Sequence, residues 1–396
     1  MQILFGLTKN KKRPSRETVL EKRKARQIKK AQPIAKTAVG EKVQKQANAV
    51  RKTSLFEKLA LLWAYDMGID LGTTNVLIYI KGKGIVLDEP GYVARDVQNG
   101  DVIAVGNDAR DMLGRTPRGI EVIQPLREGV IADYDTTAFM LRYFVSRVVP
   151  TSAMFKPRII VCVPSGITSV EKRAVLEAVL QAGARKTVLI EEPLAAAMGT
   201  GLDKAKSAGA MVVDIGGGTT DIAVVCNTGV VVSESLRIGS DKFDEALITY
   251  MKRKRKILIG KRSAEDLKIS VGTVDRKMEP VETNIRGRDL ISGMPKSVTV
   301  TSREVQKALE DPVQQIIESV KGILEKTPPE LVAEIVDHGI ILTGGGALID
   351  GFDRVLTRST GIATYLADNP KYSVILGTGR ALQEMEHLQD TLEELQ

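Results

Sequence analysis

The residues best suited to phosphate chemistry form a glycine turn between two apolar runs, within residues 212–225. Val and Ile dominate both runs, so the pattern predicts a strand, a tight turn and a second strand. Gly216, Gly217 and Gly218 can direct their N–H groups inward because no Cβ blocks the approach, and such a nest commonly holds a phosphate. Asp214 would repel a bare phosphate, so the pattern also predicts a cation. Mg²⁺ suits this place, because it binds one or two carboxylates together with waters and phosphates.

A related hairpin occurs earlier in the chain, between residues 68 and 80. It again places polar residues between two β-rich runs, and these residues are Asp70, Gly72, Thr73, Thr74 and Asn75. A third glycine turn follows another apolar run and leads into a predicted helix; it contains Gly344, Gly345, Gly346 and Ala347. One such hairpin is a weak sign of a phosphate site. Two Asp-led hairpins and a third turn predict a duplicated domain that clamps one nucleotide between its halves.

The three turns, in this order, resemble the phosphate-1, phosphate-2 and adenosine motifs of the actin, sugar kinase and heat-shock chaperone superfamily. The match narrows to the bacterial actin homologues of the MreB and Mbl family, and it runs from about Met67 nearly to the end of the sequence. Further strings that resemble this family are 81–86, 127–134, 190–197 and 325–331. The resemblance implies an α/β, actin-like two-lobed ATPase fold, built from duplicated ribonuclease-H-like domains with small inserted subdomains.

The length of 396 residues agrees with two lobes, because single cores stop growing before this size. We expect a basic, disordered leader over residues 1–53 and an amphipathic helix over 54–66. The remaining chain is expected to form four subdomains, namely IA (67–95, 127–206 and 376–396), IB (96–126), IIA (207–242 and 307–375) and IIB (243–306). Long helices are expected over 242–259 and 303–325.

The positive net charge of +8 comes from the first 66 residues. Residues 1–66 carry a net charge of +12, so the rest of the chain carries −4 and gives no sign of a nucleic-acid surface. Cys162 and Cys226 lie in apolar runs, which predicts core thiols in a reducing compartment. Two histidines are too few for a zinc site or a conventional His-based triad.

The first 66 residues leave several interpretations open. Residues 1–53 contain no apolar run long enough for a signal peptide or a membrane span. They are either a disordered basic tail, which could touch anionic lipid or nucleic acid, or the product of a misassigned start codon. Large apolar residues of the next segment share one helical face, namely Leu55, Phe56, Leu59, Leu62 and Trp63. This face either packs on the core or lies in a membrane interface.

Met154 and Phe155 form a second candidate membrane contact. They lie in a loop beside Lys156, where exposed apolar residues are unexpected. One interpretation tucks both side chains into the domain. The resemblance supports the other, because this position matches a two-residue apolar loop that MreB inserts into the membrane.

The resemblance implies that ATP and Mg²⁺ lie in the cleft between the lobes, with Asp70 and Asp214 holding the metal through waters. The residues expected to contact the phosphates come from two opposing turns: Thr73, Thr74 and Asn75, and Gly216, Gly217, Gly218 and Thr219. The third turn would allow close approach of the adenine and ribose at Gly344, Gly345, Gly346 and Ala347.

Three further side chains acquire roles from the resemblance. Glu192 aligns with the family's acid that orients the water attacking the γ-phosphate; the alternative is a carboxylate favoured by the dipole of a helix N-terminus. Glu265 and Lys268 resemble the Glu-x-x-Lys pair that contacts ribose and adenine in the superfamily. Their alternative is an exposed helix pair at i and i+3.

The implied activity is a weak ATPase coupled to polymerisation. Phosphoryl transfer depends on positioning and charge stabilisation, and no arginine finger or strong base is evident, so hydrolysis should be slow in the monomer. Polymerisation would then close the cleft and seat Glu192 on the water.

The implied partners are copies of the chain in paired protofilaments, the inner face of the cytoplasmic membrane, and cell-wall elongation proteins of the MreC, MreD and RodZ type. The implied role is maintenance of rod cell shape, by a cytoplasmic protein peripheral to the membrane that organises peptidoglycan synthesis. No nucleic acid is expected to bind the globular part.

Other members of the superfamily remain alternatives. A sugar or acetate kinase would need an acceptor-binding carboxylate and usually a larger insertion. A chaperone would need a peptide-binding domain after the ATPase, and a relative of the cell-division protein FtsA would need a C-terminal amphipathic anchor. Residues 381–396 are expected to form an acidic helix instead. A filament that does not hydrolyse ATP is the nearest alternative, and ATP turnover would distinguish it.

Overall fold

The structure is a computed structural model that describes residues 66–149, 156–201, 209–226, 229–383 and the backbone of 393–394. In chain order, the strands are β1 (Asp66–Leu71), β2 (Asn75–Ile80), β3 (Gly84–Pro90), β4 (Val93–Asp96), β5 (Val102–Val105), β6 (Ile120–Ile123), β7 (Leu126–Arg127), β8 (Val130–Ile131), β9 (Arg158–Val163), β10 (Lys186–Glu191), β11 (Ala210–Ile215), β12 (Thr220–Cys226), β13 (Gly229–Leu236), β14 (Ile257–Leu258), β15 (Glu282–Asp289), β16 (Pro295–Thr301), β17 (Ile340–Thr343), β18 (Thr364–Leu366) and β19 (Glu393–Glu394).

The helices alternate with these strands. They are α1 (Asn107–Asp111), α2 (Tyr134–Val148), α3 (Ser169–Gln181), α4 (Glu192–Thr200), α5 (Ser240–Tyr250), α6 (Lys261–Val271), α7 (Ser302–Ala308), α8 (Glu310–Lys326), α9 (Pro329–His338), α10 (Phe352–Thr360) and α11 (Ser373–Ala381). A π-helical turn continues α5 over Met251–Arg255, and 3-10 turns lie at Gly345–Leu348 and Pro370–Tyr372. Side-chain hydrogen bonds cap the first turn of some of these helices. Thr168 and Glu171, for example, form a capping box at the start of α3.

Two large sheets repeat one topology. The first has the order β19–β10–β9–β1–β2–β3, and the second has the order β13–β12–β11–β17–β18. In each sheet an antiparallel three-stranded meander is extended by two parallel strands, so β1, β2, β3, β9 and β10 correspond to β11, β12, β13, β17 and β18. We call the two halves lobe I and lobe II. This repetition agrees with the duplicated domain that the two hairpins predict.

Each lobe has its own core on the outer side of its sheet. In lobe I, Phe144 and Met140 of α2 pack beneath the sheet, and in lobe II, Phe243 and Phe352 do so. Each lobe also carries a small antiparallel sheet, with the orders β5–β4–β6 and β14–β15–β16. Strands β14, β15 and β16 lie within the stretch 243–306 predicted as IIB, and β5 and β6 lie within the stretch 96–126 predicted as IB, whereas β4 begins before it, at Val93.

Helices α4 and α11 fill the space between the two sheets. Their buried residues share one cluster with apolar residues of β9 and β10 in lobe I and of β11 and β12 in lobe II. The two helices cross at glycines, because a Cβ on Gly199 would overlap the carbonyl of Ser373 and a Cβ on Gly377 would overlap the carbonyl of Ala195. The backbones themselves are therefore in contact at this crossing.

Three segments predicted as helices differ from the structure. The helix predicted over 303–325 is two helices, because Pro312 lacks an N–H and fits only the first turn of a new helix. The helix predicted over 242–259 stops at the π-helical turn, and Ile257 then enters strand β14, where it is fully buried. The predicted acidic helix at the end of the chain is wrong for Glu393–Glu394, which pair with Val188 and Leu189 of β10.

Candidate functional site

A cavity of about 830 Å³ lies in the cleft between the lobes, and the three glycine turns line it. Of the residues that the sequence singles out, those that line the cavity are Asp70, Thr73, Thr74, Asn75, Glu192, Asp214, Gly216, Gly217, Gly218, Thr219, Glu265, Lys268, Gly344, Gly345 and Gly346. Ala347 is buried behind the third turn. The structure thus brings together residues that are up to 276 positions apart in the sequence.

The two Asp-led hairpins meet across the cleft, where the Thr73 and Thr74 side chains of one pack against the glycine backbone of the other. A Cβ on Gly217 would overlap the Thr74 hydroxyl, and a Cβ on Gly218 would lie 2.5 Å from Oγ1 of Thr73. The Thr73 hydroxyl also accepts a hydrogen bond of 3.1 Å from the N–H of Gly129. The hydroxyl oxygen of Thr74 is buried with no hydrogen-bond partner among the described residues, so this polar group is available to a ligand.

Two carboxylates occupy corresponding places in the two sheets. Asp70 is the penultimate residue of β1, and Asp214 is the penultimate residue of β11. Burial and the nearby carboxylate of Asp88 raise the pKa of Asp70 to about 7. Burial, with Asp221 and Asp70 nearby, raises the pKa of Asp214 well above its usual value, and within the described part of the chain its side-chain Oδ1 has no hydrogen-bond donor. A cation between these groups would satisfy both.

Glu192 begins α4 at the floor of the cleft, where β10 ends. Burial raises its pKa well above the usual value, and the carboxylates of Asp221, Asp70 and Asp214 add to this effect. The preceding residue has a different partner, since Glu191 accepts a hydrogen bond of 2.9 Å from the Ser165 hydroxyl. Glu192 is thus the carboxylate of this pair that lines the cavity.

Asp221 belongs to the site although the sequence analysis gave it no role. It pairs directly with Asp214 in the β11–β12 register and is almost fully buried. It accepts a hydrogen bond of 2.9 Å from the N–H of Ser165 in lobe I. Burial raises its pKa to about 6 against the opposing effect of its hydrogen bonds. Asp221 could have been predicted from the sequence, because it ends the Thr-Thr-Asp string that follows the three glycines.

The third turn packs directly on the second hairpin. Gly344 has φ of 87°, and a Cβ there would overlap the Ile215 carbonyl. A Cβ on Gly346 would lie 2.5 Å from a side-chain carbon of Ile215. Helix α5 is fixed to the same hairpin, because the N–H groups of Ser240 and Asp241 donate to the carbonyls of Gly216 and Gly217 at 3.0 and 2.9 Å.

Glu265 and Lys268 line the cavity, and each has a charged protein partner. Both carboxylate oxygens of Glu265 accept hydrogen bonds from the Arg110 guanidinium, at 2.9 and 2.8 Å. Lys268 pairs with Asp244 at 2.9 Å and donates to the Ser240 carbonyl at 3.1 Å. Arg110 lies on α1, so its pairing with α6 bridges the two small sheets over the cleft. The sequence did not indicate a role for Arg110, because no local pattern around it points to Glu265 as its partner.

Asn75 has a partner that the sequence analysis did not anticipate. Its amide donates to Oδ1 of Asp88 at 2.7 Å, and Oδ2 of Asp88 accepts from Nζ of Lys371 at 2.6 Å and from the Tyr372 hydroxyl at 3.1 Å. Burial would raise the pKa of Asp88, but the hydrogen bonds from Lys371 and Asn75 hold it below the usual value. Asp88 is therefore a charged carboxylate beside the first hairpin.

Several predicted features lie outside the described residues: the leader over 1–53, nearly all of the helix over 54–66, and the membrane-contact candidates Met154 and Phe155. Within the described ranges, every helix is too short or too polar to cross a bilayer.

The sequence matches the family described as MreB/Mbl protein over residues 64–390. The cell shape-determining protein Mbl of Bacillus cereus (strain ATCC 10987 / NRS 248) is 49% identical over 327 residues, which cover 83% of this chain and 98% of that protein. The cell shape-determining protein MreB of Escherichia coli (strain K12) is 47% identical over 334 residues, covering 83% and 96%. The crystal structure of MreB5 of Spiroplasma citri bound to ADP has a TM-score of 0.78 and 33% identity, covering 83% and 98%; its complex with AMPPNP gives the same values.

Proposed function

The chain belongs to the MreB/Mbl protein family, and from this premise we propose that it binds ATP between its lobes, hydrolyses it slowly and assembles into filaments. The expected actin-like, two-lobed fold is confirmed by the likeness to MreB5. That relative binds ADP and AMPPNP, which supports a nucleotide in the cleft of this chain.

The observation that carries the proposal is the contact between the two Asp-led hairpins. The side chains of Thr73 and Thr74 in lobe I pack against the backbone of Gly218 and Gly217 in lobe II. Hydroxyls from one side and glycine N–H groups from the other would form a nest for an anion. A chain of phosphates would be held from both sides at once, and its loss would leave the hairpins without a common partner.

Mg²⁺ fits the carboxylates at the base of the hairpins. Asp70 and Asp214 have raised pKa values, and Oδ1 of Asp214 has no donor, so a cation would favour their charged forms. These two residues would hold the metal through waters. When bound, Mg²⁺ would neutralise charge on the phosphate oxygens.

Glu192 would orient the attacking water. Its carboxyl lines the cavity and is surrounded by other carboxylates, which favours the protonated form in the absence of a cation. A bound metal would favour the carboxylate form, which can accept a hydrogen bond from water. Closure of the cleft within a filament would complete this arrangement, so the monomer would turn over slowly.

Self-association is supported by family membership and by an apolar tip on lobe II. Ile291 is 85% exposed and Met294 is 64% exposed, and both lie in the turn between β15 and β16. Such exposed apolar side chains are characteristic of contact surfaces.

We further propose that the filaments are paired and lie on the inner face of the cytoplasmic membrane, with Met154 and Phe155 as contacts. There they would organise cell-wall elongation with proteins of the MreC, MreD and RodZ type, as the named role of the relatives in cell shape suggests.

Phosphate release from Mg-ATP, measured against protein concentration together with sedimentation, tests the proposal. We expect the rate per subunit to rise sharply at the concentration where filaments pellet. Filaments without phosphate release would indicate a non-hydrolysing polymer, and transfer to a small acceptor without filaments would indicate a kinase. No affinity for ATP in calorimetry would refute the nucleotide site itself. Electron microscopy with anionic liposomes, comparing wild type with Phe155→Ser, tests the membrane contact.

A further inference from the structure

Two adjacent residues near the end of the cleft are attached to opposite lobes. The carbonyl of Pro370 accepts hydrogen bonds from the Thr343 hydroxyl and the Gly344 N–H in lobe II, both at 3.0 Å. Lys371 is bound instead to Asp88 of β3 in lobe I. The chain passes from β18 in lobe II to α11 on lobe I in this segment, so it lies on a connection between the lobes.

Asp88 receives this attachment on the cleft side of the lobe I sheet. Asp70 pairs with Leu77 and Leu77 pairs with Asp88, so the three side chains lie in one row on one face. Asp88 also accepts a hydrogen bond from the amide of Asn75, which is the first residue of β2, directly after the turn of the lobe I hairpin. One carboxylate thus joins the interlobe connection to the hairpin.

We propose that Lys371 is a positioning residue, which acts through Asp88 to hold the Asn75 amide in place and so links lobe closure to the phosphate hairpin. The inference rests on the proposed nucleotide site. When the connection moves relative to lobe I, the ammonium pulls on Asp88 or releases it, and Asn75 follows. In the closed arrangement Asn75 is fixed before the nucleotide arrives.

The contacts are of a kind that can transmit such a constraint. Two charge-assisted hydrogen bonds, from Lys371 and Asn75, converge on Asp88 from different elements, and such bonds are shorter and stronger than neutral ones. The Tyr372 hydroxyl adds a third donor. The Asp88 side chain is 27% exposed, so solvent screens the pair less than it screens a pair at the open surface.

The test compares ATP affinities of variants at concentrations where sedimentation shows only monomer. Lys371→Met should raise the Kd of a fluorescent ATP analogue about fivefold to tenfold, because an uncompensated Asp88 no longer holds Asn75 in one place. Lys371→Arg should stay within about twofold of wild type. The matched control is Lys296→Met, which breaks a comparable ion pair with Asp289, at 2.8 Å, in the β15–β16 hairpin.

A double variant separates positioning from direct contact with the nucleotide. Asp88→Asn combined with Lys371→Met removes the unpaired charge and keeps an acceptor for Asn75, so affinity should recover to within about threefold of wild type. A loss as large as in Lys371→Met alone would overturn the inference, since it would mean that the ammonium itself binds the nucleotide. Melting temperature serves as the structural readout, because Lys371→Met and Lys296→Met should lower it alike while only the first changes Kd.

The outcome also distinguishes this inference from the proposed function. Wild-type protein that fails to bind the analogue would refute the nucleotide site, and the inference with it. Wild-type protein that binds, with Lys371→Met binding as tightly as Lys296→Met, would refute the inference alone.

Discussion

The hydroxyl of Thr74 and the Cα of Gly217 come from opposite lobes, and they lie so close that a single added Cβ would overlap the oxygen. At this contact, therefore, neither hairpin can move closer to the other. The separation of the hairpins at this point is set by the short Thr74 side chain packed against the Gly217 backbone.

Gly217→Ala should keep the hairpins apart and weaken ATP binding. Overpacking of this kind costs about 1–3 kcal/mol, so we expect the Kd to rise by about tenfold or more. Isothermal titration calorimetry measures it. Gly322→Ala in α8 is the matched control, because a Cβ there meets nothing within 4 Å. Equal affinities for the two variants would show that the hairpins do not close on the nucleotide.

Glu192→Gln should bind ATP and form filaments but hydrolyse ATP about 10²-fold more slowly, because a neutral amide oxygen is a weaker hydrogen-bond acceptor than a carboxylate and orients the water less well. Phosphate release at a fixed amount of pelleted filament measures the effect. Glu177→Gln on the surface of α3 is the control, since Glu177 pairs only with its helix neighbour Arg173 among the contacts described for it. Wild-type turnover by Glu192→Gln would rule out the assigned role.

The stability of the nucleotide-free protein should fall as pH rises through Asp70. Its folded pKa is about 7 and its unfolded pKa is about 4, so between these values the folded chain holds more protons than the unfolded chain, and the free energy of unfolding decreases with pH. Asp70→Asn removes this titration. The variant should be more stable than wild type at pH 8, by on the order of 2 kcal/mol, and similar near pH 4.5.

Urea unfolding without nucleotide at the two pH values measures this difference. Asp275→Asn provides a control of opposite sign, because hydrogen bonds, chiefly from Arg358, lower the pKa of Asp275 to about 2. The stability from Asp275 is present above pH 4 and is lost as pH falls toward 2, so its variant should be less stable at pH 8. A destabilised Asp70→Asn at pH 8 would contradict the raised pKa.

Arg110→Ala should speed nucleotide release, because it removes the bridge from α1 to Glu265 on α6. A partly exposed ion pair, in which one guanidinium nitrogen donates to both carboxylate oxygens, supports an increase of about threefold to tenfold in the dissociation rate. Displacement of a fluorescent nucleotide by excess ATP measures that rate. Arg173→Ala, which breaks a pair within one exposed helix, should leave it unchanged. A rate for Arg110→Ala equal to this control would show that the bridge does not restrain the cleft.

The parts of the site that sequence predicts are those built from neighbouring residues. The nest at Gly216 to Gly218 and the leading Asp214 are adjacent, so the local pattern contains their chemistry, although the roles of the individual residues stay predictions. The missed residues act over long separations. Arg110 is 155 positions from Glu265, and Lys371 is 283 positions from Asp88. Only the packing of the lobes brings such pairs together.

The same distinction explains the errors in the fold. Periodicity continues across Leu309, so it could not reveal that α7 and α8 are separate helices. The duplication, in contrast, was visible because both hairpins carry the same local string. The subdomain boundaries stay predictions, as do the membrane roles of Met154 and Phe155.

The glycine crossing of α4 and α11 also determines how the halves can move. The chain passes between lobes after α4 and before α11, and the Gly199–Ser373 contact brings these two exits side by side. If the lobes rotate relative to one another about this crossing, atoms near it move least. The largest displacement then falls at the rim of the cleft, where Arg110 meets Glu265.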